Sequence, residues 1–375
     1  MRRQPFTNES GCGILKFCCA VVLVILATLR CAGQAPLTVA SFPVERGYGY
    51  VKTLQTGPRE LTVVYGRNDW FFYSSRLFLR RHRIGDQTVV QRKVALTIHG
   101  QPAYLIATFS HDTSLYFVCA SPFSDKPDLG WCVFRYNMLS DSLTGIVEPQ
   151  AGNALPQRVL WHGDVTPVLS ADSTEAAVCV SFNGTSGTPD KVYAVTLGIS
   201  GLTRFKTMTL NVHDPITRYE HEKFFVDTDG ELYALGKQYT GNDREIRNGV
   251  ANYAYVLSKA VGADFKLACT VPTNGSIVRS FSGVLADGVL FGSGLIADST
   301  LTLHDSLLVV ATNITDGRTM YRRVLALAEP VPVVKAFPNR FDNTVSLLNG
   351  KVVSVFELQH TAYNESAKAG NGFTY

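Results

Sequence analysis

Charge, helical periodicity and long apolar runs are all scarce in this chain. Only 18% of its 375 residues are charged. No stretch beyond the N-terminus sustains the 3.6-residue apolar period of an amphipathic helix, so helix bundles and coiled coils are excluded. The longest apolar run, Phe17 to Leu29, is 13 residues, short of the roughly 20 that a membrane-spanning helix needs. Only four of the eight cysteines lie beyond residue 33, and no Cys/His set has the spacing of a metal site. There is no HExxH, no GxSxG and no Gly-rich phosphate loop, so the sequence points to no cofactor and to no familiar catalytic machinery.

What is present suits many short strands and tight turns: 46% apolar residues, 31 Gly and 16 Pro. Six times an apolar stretch enters an acidic or Asn turn and leaves as another apolar stretch. These are TVVYGRNDWFFY, IATFSHDTSLYF, TPVLSADSTEAAVCV, FFVDTDGELYAL, SGVLADGVLFG and VSLLNGKVVSVF. The turn residues Asp69, Asp112, Asp172, Asp229, Asp287 and Asn349 are 43, 60, 57, 58 and 62 residues apart. That period is too long for a hairpin and fits one supersecondary module repeated along or around an axis.

The fourth unit is the clearest. Lys223 to Val226 is strand a, Asp227 to Gly230 the turn, Leu232 to Leu235 strand b, Tyr253 to Ser258 strand c and Phe265 to Val271 strand d. Four strands per unit predict an all-β, six-bladed β-propeller over residues 61–360, followed by a polar tail at 361–375. The order strand, Asp-Gly turn, Leu-Tyr strand, loop, strand and Gly hairpin resembles the repeat of six-bladed propellers of the NHL and YVTN kind, carried by Asp229-Gly230 with Leu232-Tyr233 and Asp287-Gly288 with Val289-Leu290. The stretch LYFVCASPFSDKPDLGWCVFRY is also similar to the semaphorin and plexin type of propeller. Unit 1 is short and unit 6 ends after two strands. The segment 34–60 is therefore expected to supply a closing strand, from Leu37 to Ser41 or from Tyr48 to Leu54, unless the sixth unit caps an open array.

Residues 1–33 read as a secretory signal peptide, with Arg2, Arg3 and Lys16 ahead of the apolar run and Cys31-Ala32-Gly33 after it, or as a type II anchor given Arg30. A secreted or cell-surface protein is expected, with no membrane span after cleavage. Loss of that segment lowers the net charge from +4 to +1, too little to imply nucleic-acid binding. Cys119 and Cys132 flank the loop Ser121–Gly130 and are expected to form a disulfide, whereas Cys179 and Cys269 read as buried small hydrophobes. Asn183, Asn274, Asn313 and Asn364 begin glycosylation sequons.

Long polar loops cluster at the b–c end of the units, which is therefore the candidate binding face. It offers Trp131 and Trp161 for stacking on a sugar ring. Carboxylates such as Asp128, Asp190, Glu245 and Asp298 lie there too, and any enzyme would draw on Asp214, Asp243, Asp305, His213 and His304. No sialidase-type Asp box accompanies them. Arg80, Arg81 and Arg83, within a basic run from Arg76 to Lys93, are either a docking patch for an acidic partner or a solvated edge strand. The expected function is a non-catalytic binding module for an extracellular protein or glycan; the alternative is a carbohydrate-active hydrolase or lyase, whose paired carboxylates would face one pocket.

Overall fold

The computed structural model describes residues 47–67, 74–83, 89–123, 126–149, 154–182, 191–202, 204–212, 219–240, 245–332, 341–348 and 351–358. The chain is all-β. Strands β1 (Tyr48–Gly57), β2 (Glu60–Arg67), β3 (Arg76–Arg83) and β4 (Val89–Ala95) form an antiparallel meander, sheet one. The short pair β5 (Thr97–Ile98) and β6 (Gln101–Pro102) leads into sheet two, made of β7 (Tyr104–His111), β8 (Ser114–Phe123), β9 (Lys126–Asn137) and β10 (Ser142–Val147). Then β11 (Leu155–Pro156) pairs with β9, and helix α1 (Gln157–His162) opens the way to sheet three: β12 (Asp164–Leu169), β13 (Glu175–Phe182), β14 (Lys191–Gly198) and β15 (Phe205–Asn211).

Sheet four, joined to the edge of sheet three by one parallel contact between Asn211 of β15 and Asp264, has β16 (Tyr219–Val226) and β17 (Leu232–Tyr239), then a small hairpin of β18 (Ile246–Arg247) and β19 (Val250–Ala251), then β20 (Tyr253–Val261) and β21 (Asp264–Thr270). Sheet five follows with β22 (Ile277–Ala286), β23 (Val289–Ala297), β24 (Leu303–Asn313) and β25 (Thr319–Pro332). The last two strands, β26 (Phe341–Leu348) and β27 (Lys351–Leu358), pair only with each other among the described residues.

Alternation of side chains explains how these sheets assemble. Successive residues of a strand point to opposite faces, and in each central strand both sets are apolar. On β8, Leu115, Phe117 and Cys119 join the core shared with sheet one, while Tyr116, Val118 and Ala120 join the core shared with sheet three. On β13, Ala176, Val178 and Val180 face sheet two, and Ala177 and Cys179 face sheet four. On β17, Leu232 and Ala234 face sheet three and Tyr233 and Leu235 face sheet five. Each inner sheet is thus a layer buried on both faces, and the first strands lie side by side in the order β1, β7, β12, β16, β22, β26. This is the packing of propeller blades, whose first strands line a common axis.

Four of those first strands carry a β-bulge at a similar place, between Tyr50 and Lys52, Leu105 and Ala107, His221 and Lys223, and Arg279 and Ser282. A bulge inserts unpaired residues and re-aims the side chains beside it. In sheet five it lays Phe281 over β23, where only glycine fits: a Cβ on Gly292 would meet the Phe281 ring at 2.3 Å. In sheets one and four the residue after the bulge is a lysine that reaches the next first strand. Lys52 Nζ donates to Thr108 O at 3.3 Å, and Lys223 Nζ to Ser282 Oγ at 2.9 Å.

Three expectations change here. Tyr48–Leu54 is not a closing strand; it lies within β1, paired along β2 in sheet one. The stretch TVVYGR is accordingly the second strand of its unit, and the first turn is Pro58-Arg59 instead of Asp69, which lies outside the described residues. The first unit is therefore of ordinary length, and the short 43-residue spacing came from counting across the wrong hairpin. Finally, Ser121–Gly130 is strand on both sides of residues 124–125, because Leu129 and Trp131 continue the period-two apolar pattern and Leu155 of β11 pairs with Leu129.

Candidate functional site

At the end of sheets four and five where β17 hands over to β20, the β16 bulge turns Glu222 out of strand register. Its carboxylate meets Lys237 of β17, with Nζ at 3.0 Å from Oε1, and the same oxygen accepts the Tyr255 hydroxyl at 2.8 Å. Lys237 is 5% exposed. Its ammonium lies 5.1 Å from the Tyr253 ring centroid and 5.8 Å from that of Tyr255, a cation–π arrangement, and 3.8 Å from Glu245 Oε1. Arg279 of β22 reaches Glu245 Oε2 at 3.4 Å, while Tyr253 donates to Val278 O at 2.6 Å. Two carboxylates and two cations therefore balance one another across the seam between sheets.

Burial dominates the electrostatics. It raises the Glu222 carboxyl pKa, with Lys237 pulling the other way, and it pushes the Tyr253 and Tyr255 phenols well up. Beside the bulge, His221 stacks on Phe224 with ring centroids 3.9 Å apart, and burial drops its imidazole to about 4. The neighbouring Tyr219 hydroxyl is buried and has no hydrogen-bond partner among the described residues.

This cluster anchors a projecting element. Asn248 and Gly249 both have positive φ, 53° and 77°, the two-residue turn that Asn-Gly favours. The resulting β18–β19 hairpin is fixed at its base: Asn252 N donates to Glu245 O at 2.9 Å and Ala251 N to Gly275 O at 3.0 Å. Its tip stands clear, with Arg247 exposed and Val250 at 51% exposure.

The residues singled out in the sequence fall elsewhere. Trp131 must be corrected: at 2% exposure it lies in the core between sheets two and three and presents no face to a sugar. His304 and Asp305 are not a dyad, since consecutive residues of β24 point opposite ways, His304 buried and Asp305 exposed. His304 sits near Arg279, and burial and that charge lower its pKa. Asp298 closes the β23–β24 turn by accepting Thr302 N and Leu303 N at 2.7 and 3.2 Å.

His213, Asp214, Asp243, Asn183 and Asn364 lie outside the described residues, as does the side chain of Trp161 on α1. Asn274 is exposed beside the hairpin; Asn313 is half-buried and accepts Thr315 N in a turn. Cys119 and Cys132 are direct cross-strand partners on β8 and β9, both buried and both thiols in this structure. Among the described residues, no group of His, Cys, Asp or Glu is arranged to hold a metal ion.

The basic run is largely engaged within the protein. Arg80 is buried in β3, Arg81 Nη1 donates to Met138 O at 3.1 Å, and Arg83 grips Glu60 Oε1 at 2.9 and 3.2 Å. Arg92 pairs with Asp141. Lys237, Glu222, Arg279 and the two tyrosines were missed in the sequence because they lie inside strands and are spread from residue 222 to 279. The faint signal was Lys237 in the apolar strand LYALGKQY, one hairpin away from the polar run Glu220-His221-Glu222-Lys223.

No protein-family model matches the chain, and no curated protein matches it. Among solved structures it is similar to the polysaccharide lyase Uly1, at 10% identity over 88% of this chain and 91% of that one, with a TM-score of 0.37. It is also similar to the phage phi92 endosialidase, at 10% identity over 87% of this chain and 65% of that one, with a TM-score of 0.41. A third is the β-propeller domain of the Trilobed protease from Pyrococcus furiosus, at 8% identity over 86% and 85% of the two chains, with a TM-score of 0.34. TM-scores this low say nothing about function, for which the chain's own residues are the guide.

Proposed function

We propose that the chain is a secreted or surface-exposed six-bladed β-propeller that recognises an extracellular protein or glycan without chemistry, through the β18–β19 hairpin and the rim around it. The observation that supports this reading is the hairpin itself, held at its base by backbone hydrogen bonds and by the Glu245 contacts to Lys237 and Arg279, with Arg247 and Val250 free at the tip. A rigid, prominent loop loses little conformational entropy on binding. The charges beneath it are matched to one another and serve to position it. The experiment is a glycan array and an extracellular-protein panel probed with purified protein and with an Arg247→Glu, Val250→Asp variant. Loss of binding by about tenfold or more at unchanged melting temperature supports the reading; a bound ligand indifferent to the variant sinks it.

A second reading, a carbohydrate-active hydrolase or lyase, rests on Glu222 and Glu245, two carboxylates within 4 Å of one ammonium, the first with a raised pKa. Turnover of a polysaccharide panel, abolished by Glu222→Gln or Glu245→Gln with the fold intact, would establish it over the first. Export with cleavage near Gly33, read by N-terminal sequencing of the mature protein, tests the compartment.

A further inference from the structure

We infer that β27 is the interface at which two copies of this chain join, edge to edge and antiparallel, about a two-fold axis at Ser354. Each of the five earlier units has an antiparallel run of four principal strands, whereas β26 and β27 make a sheet of two among the described residues. A two-stranded hairpin is marginally stable by itself, and an unpaired edge is a template for another strand. The other outer strands are guarded. β4 carries Gln91-Arg92-Lys93, β15 and β21 carry Lys206 and Lys266 and meet each other at Asn211 and Asp264, and β10 is bulged at Gly145/Val147. Along β25, Arg322 and Arg323 stand in the paired part, followed by a break in register and by Pro330 and Pro332.

The middle of β27 has none of these devices. Val352-Val353-Ser354-Val355 is uncharged, free of proline and in unbroken register with β26. Val353 and Val355 are 40% and 59% exposed, and they share a face with Lys351. The opposite face is fixed to sheet five, where Ser354 Oγ lies 2.6 Å from Ser293 Oγ.

The occupant is read from the sequence of the strand, which is complementary to itself. Turned about Ser354, KVVSVFE sets Lys351 opposite Glu357, Val352 opposite Phe356 and Val353 opposite Val355, and the symmetry repeats each pair. A second copy thus supplies opposite charge at both ends and valine and phenylalanine on either side of Ser354 between them, cross-strand pairs of the kind that stabilise antiparallel sheets. The product is a four-stranded antiparallel sheet in the order β26, β27, β27, β26, matching the four principal strands of each earlier unit.

The test is sedimentation equilibrium of the purified protein over about a hundredfold range of concentration, with thermal melts of every variant. A concentration-dependent dimer is expected. Lys351→Glu and Glu357→Lys should each weaken it by about tenfold, since each makes two like-charge pairs per dimer, and the double reversal should restore it to within about threefold. A monomer at every concentration overturns the proposal and points to completion of the sheet by this chain itself. A dimer unaffected by either reversal at unchanged melting temperature also overturns it, as does failure of the double reversal to restore pairing.

Discussion

The basic strand β3 and the charge cluster beneath the β18–β19 hairpin hold similar chemistry in opposite settings. On β3 the charges are adjacent in sequence, and Arg83, with its side chain 62% exposed, bonds Glu60 directly at a surface open to solvent. In the cluster they come from four separate segments, and Lys237 is almost wholly withdrawn from solvent. An exposed pair gains little because water competes for both partners, whereas a buried one has no other solvation to fall back on. A dense run of charge is therefore easy to see and energetically slight, and a single lysine in an apolar strand is easy to overlook and structurally decisive.

The largest effect that would test this contrast is Lys237→Ala. It leaves Glu222 buried beside Tyr255 with no cation, and loss of one partner of a buried pair costs about 3 kcal/mol or more. Unfolding in urea should show that loss as a lower midpoint at unchanged slope. Lys237→Met should recover part of it, by filling the space between the Tyr253 and Tyr255 rings without a charge. If Lys237→Ala proves no more damaging than a surface substitution, the cluster is not the anchor described above. Arg279→Ala comes next at about 1–2 kcal/mol, because Glu245 keeps Lys237; amide hydrogen exchange should quicken at Asn252 and Ala251, the base of the hairpin.

Two histidines extend the comparison to pH. His221 is held neutral by burial, its pKa lowered from 6.5 to about 4, and His82 on β3 is lowered by burial and by Arg80. A lowered histidine binds fewer protons folded than unfolded, so its contribution is complete above pH 6.5 and is lost as pH falls toward the folded value. For His221 that amounts to about 3 kcal/mol between pH 6.5 and 4. The raised pKa of Glu222 acts in the opposite sense, since the folded state takes up that proton first and gains from acid. Urea midpoints measured against pH for the wild type and for His221→Leu, which share Glu222, isolate the histidine. The wild-type curve should fall more steeply below pH 6.5, and parallel curves would show that His221 is not the buried group that titrates. His82→Leu should alter the slope far less.

Much of the fold could be read from the residues, and the reasons are specific. Strands buried on both faces read as near-continuous apolar runs such as EAAVCVSF and LYALGK, and the tight first hairpins show as Asp-Gly or Asp-Thr punctuation, so most units could be placed. The first unit slipped by one hairpin because its first turn is Pro-Arg, while the asparagine and aspartate that resemble a turn stand between its second and third strands. The bulges left no mark in composition, and without the β16 bulge Glu222 would be an ordinary strand residue. Trp131 looked available because it follows a run of Lys, Pro, Asp and Gly; what hides it is packing against sheet three, a contact formed by residues some fifty positions away. The cluster itself depends on five strand ends meeting, which no local pattern encodes.

The smallest effect belongs to Arg83→Ala. The arginine stands at the end of β3, its guanidinium shared with one oxygen of Glu60 and otherwise in water, so removal should change stability by at most about 0.5 kcal/mol. Its neighbours are committed inside the molecule, Arg81 to a backbone carbonyl and Arg80 to burial, which leaves Arg83 with little company on that strand to present to an acidic ligand. Elution from a heparin column should therefore shift only as far as the loss of one exposed charge dictates, no further than for a control such as Arg318→Ala at the exposed β24–β25 turn. A much larger shift for Arg83→Ala would mean that the strand docks a polyanion despite its internal pairing. It would return the binding face to sheet one and leave the hairpin as a structural feature of sheet four.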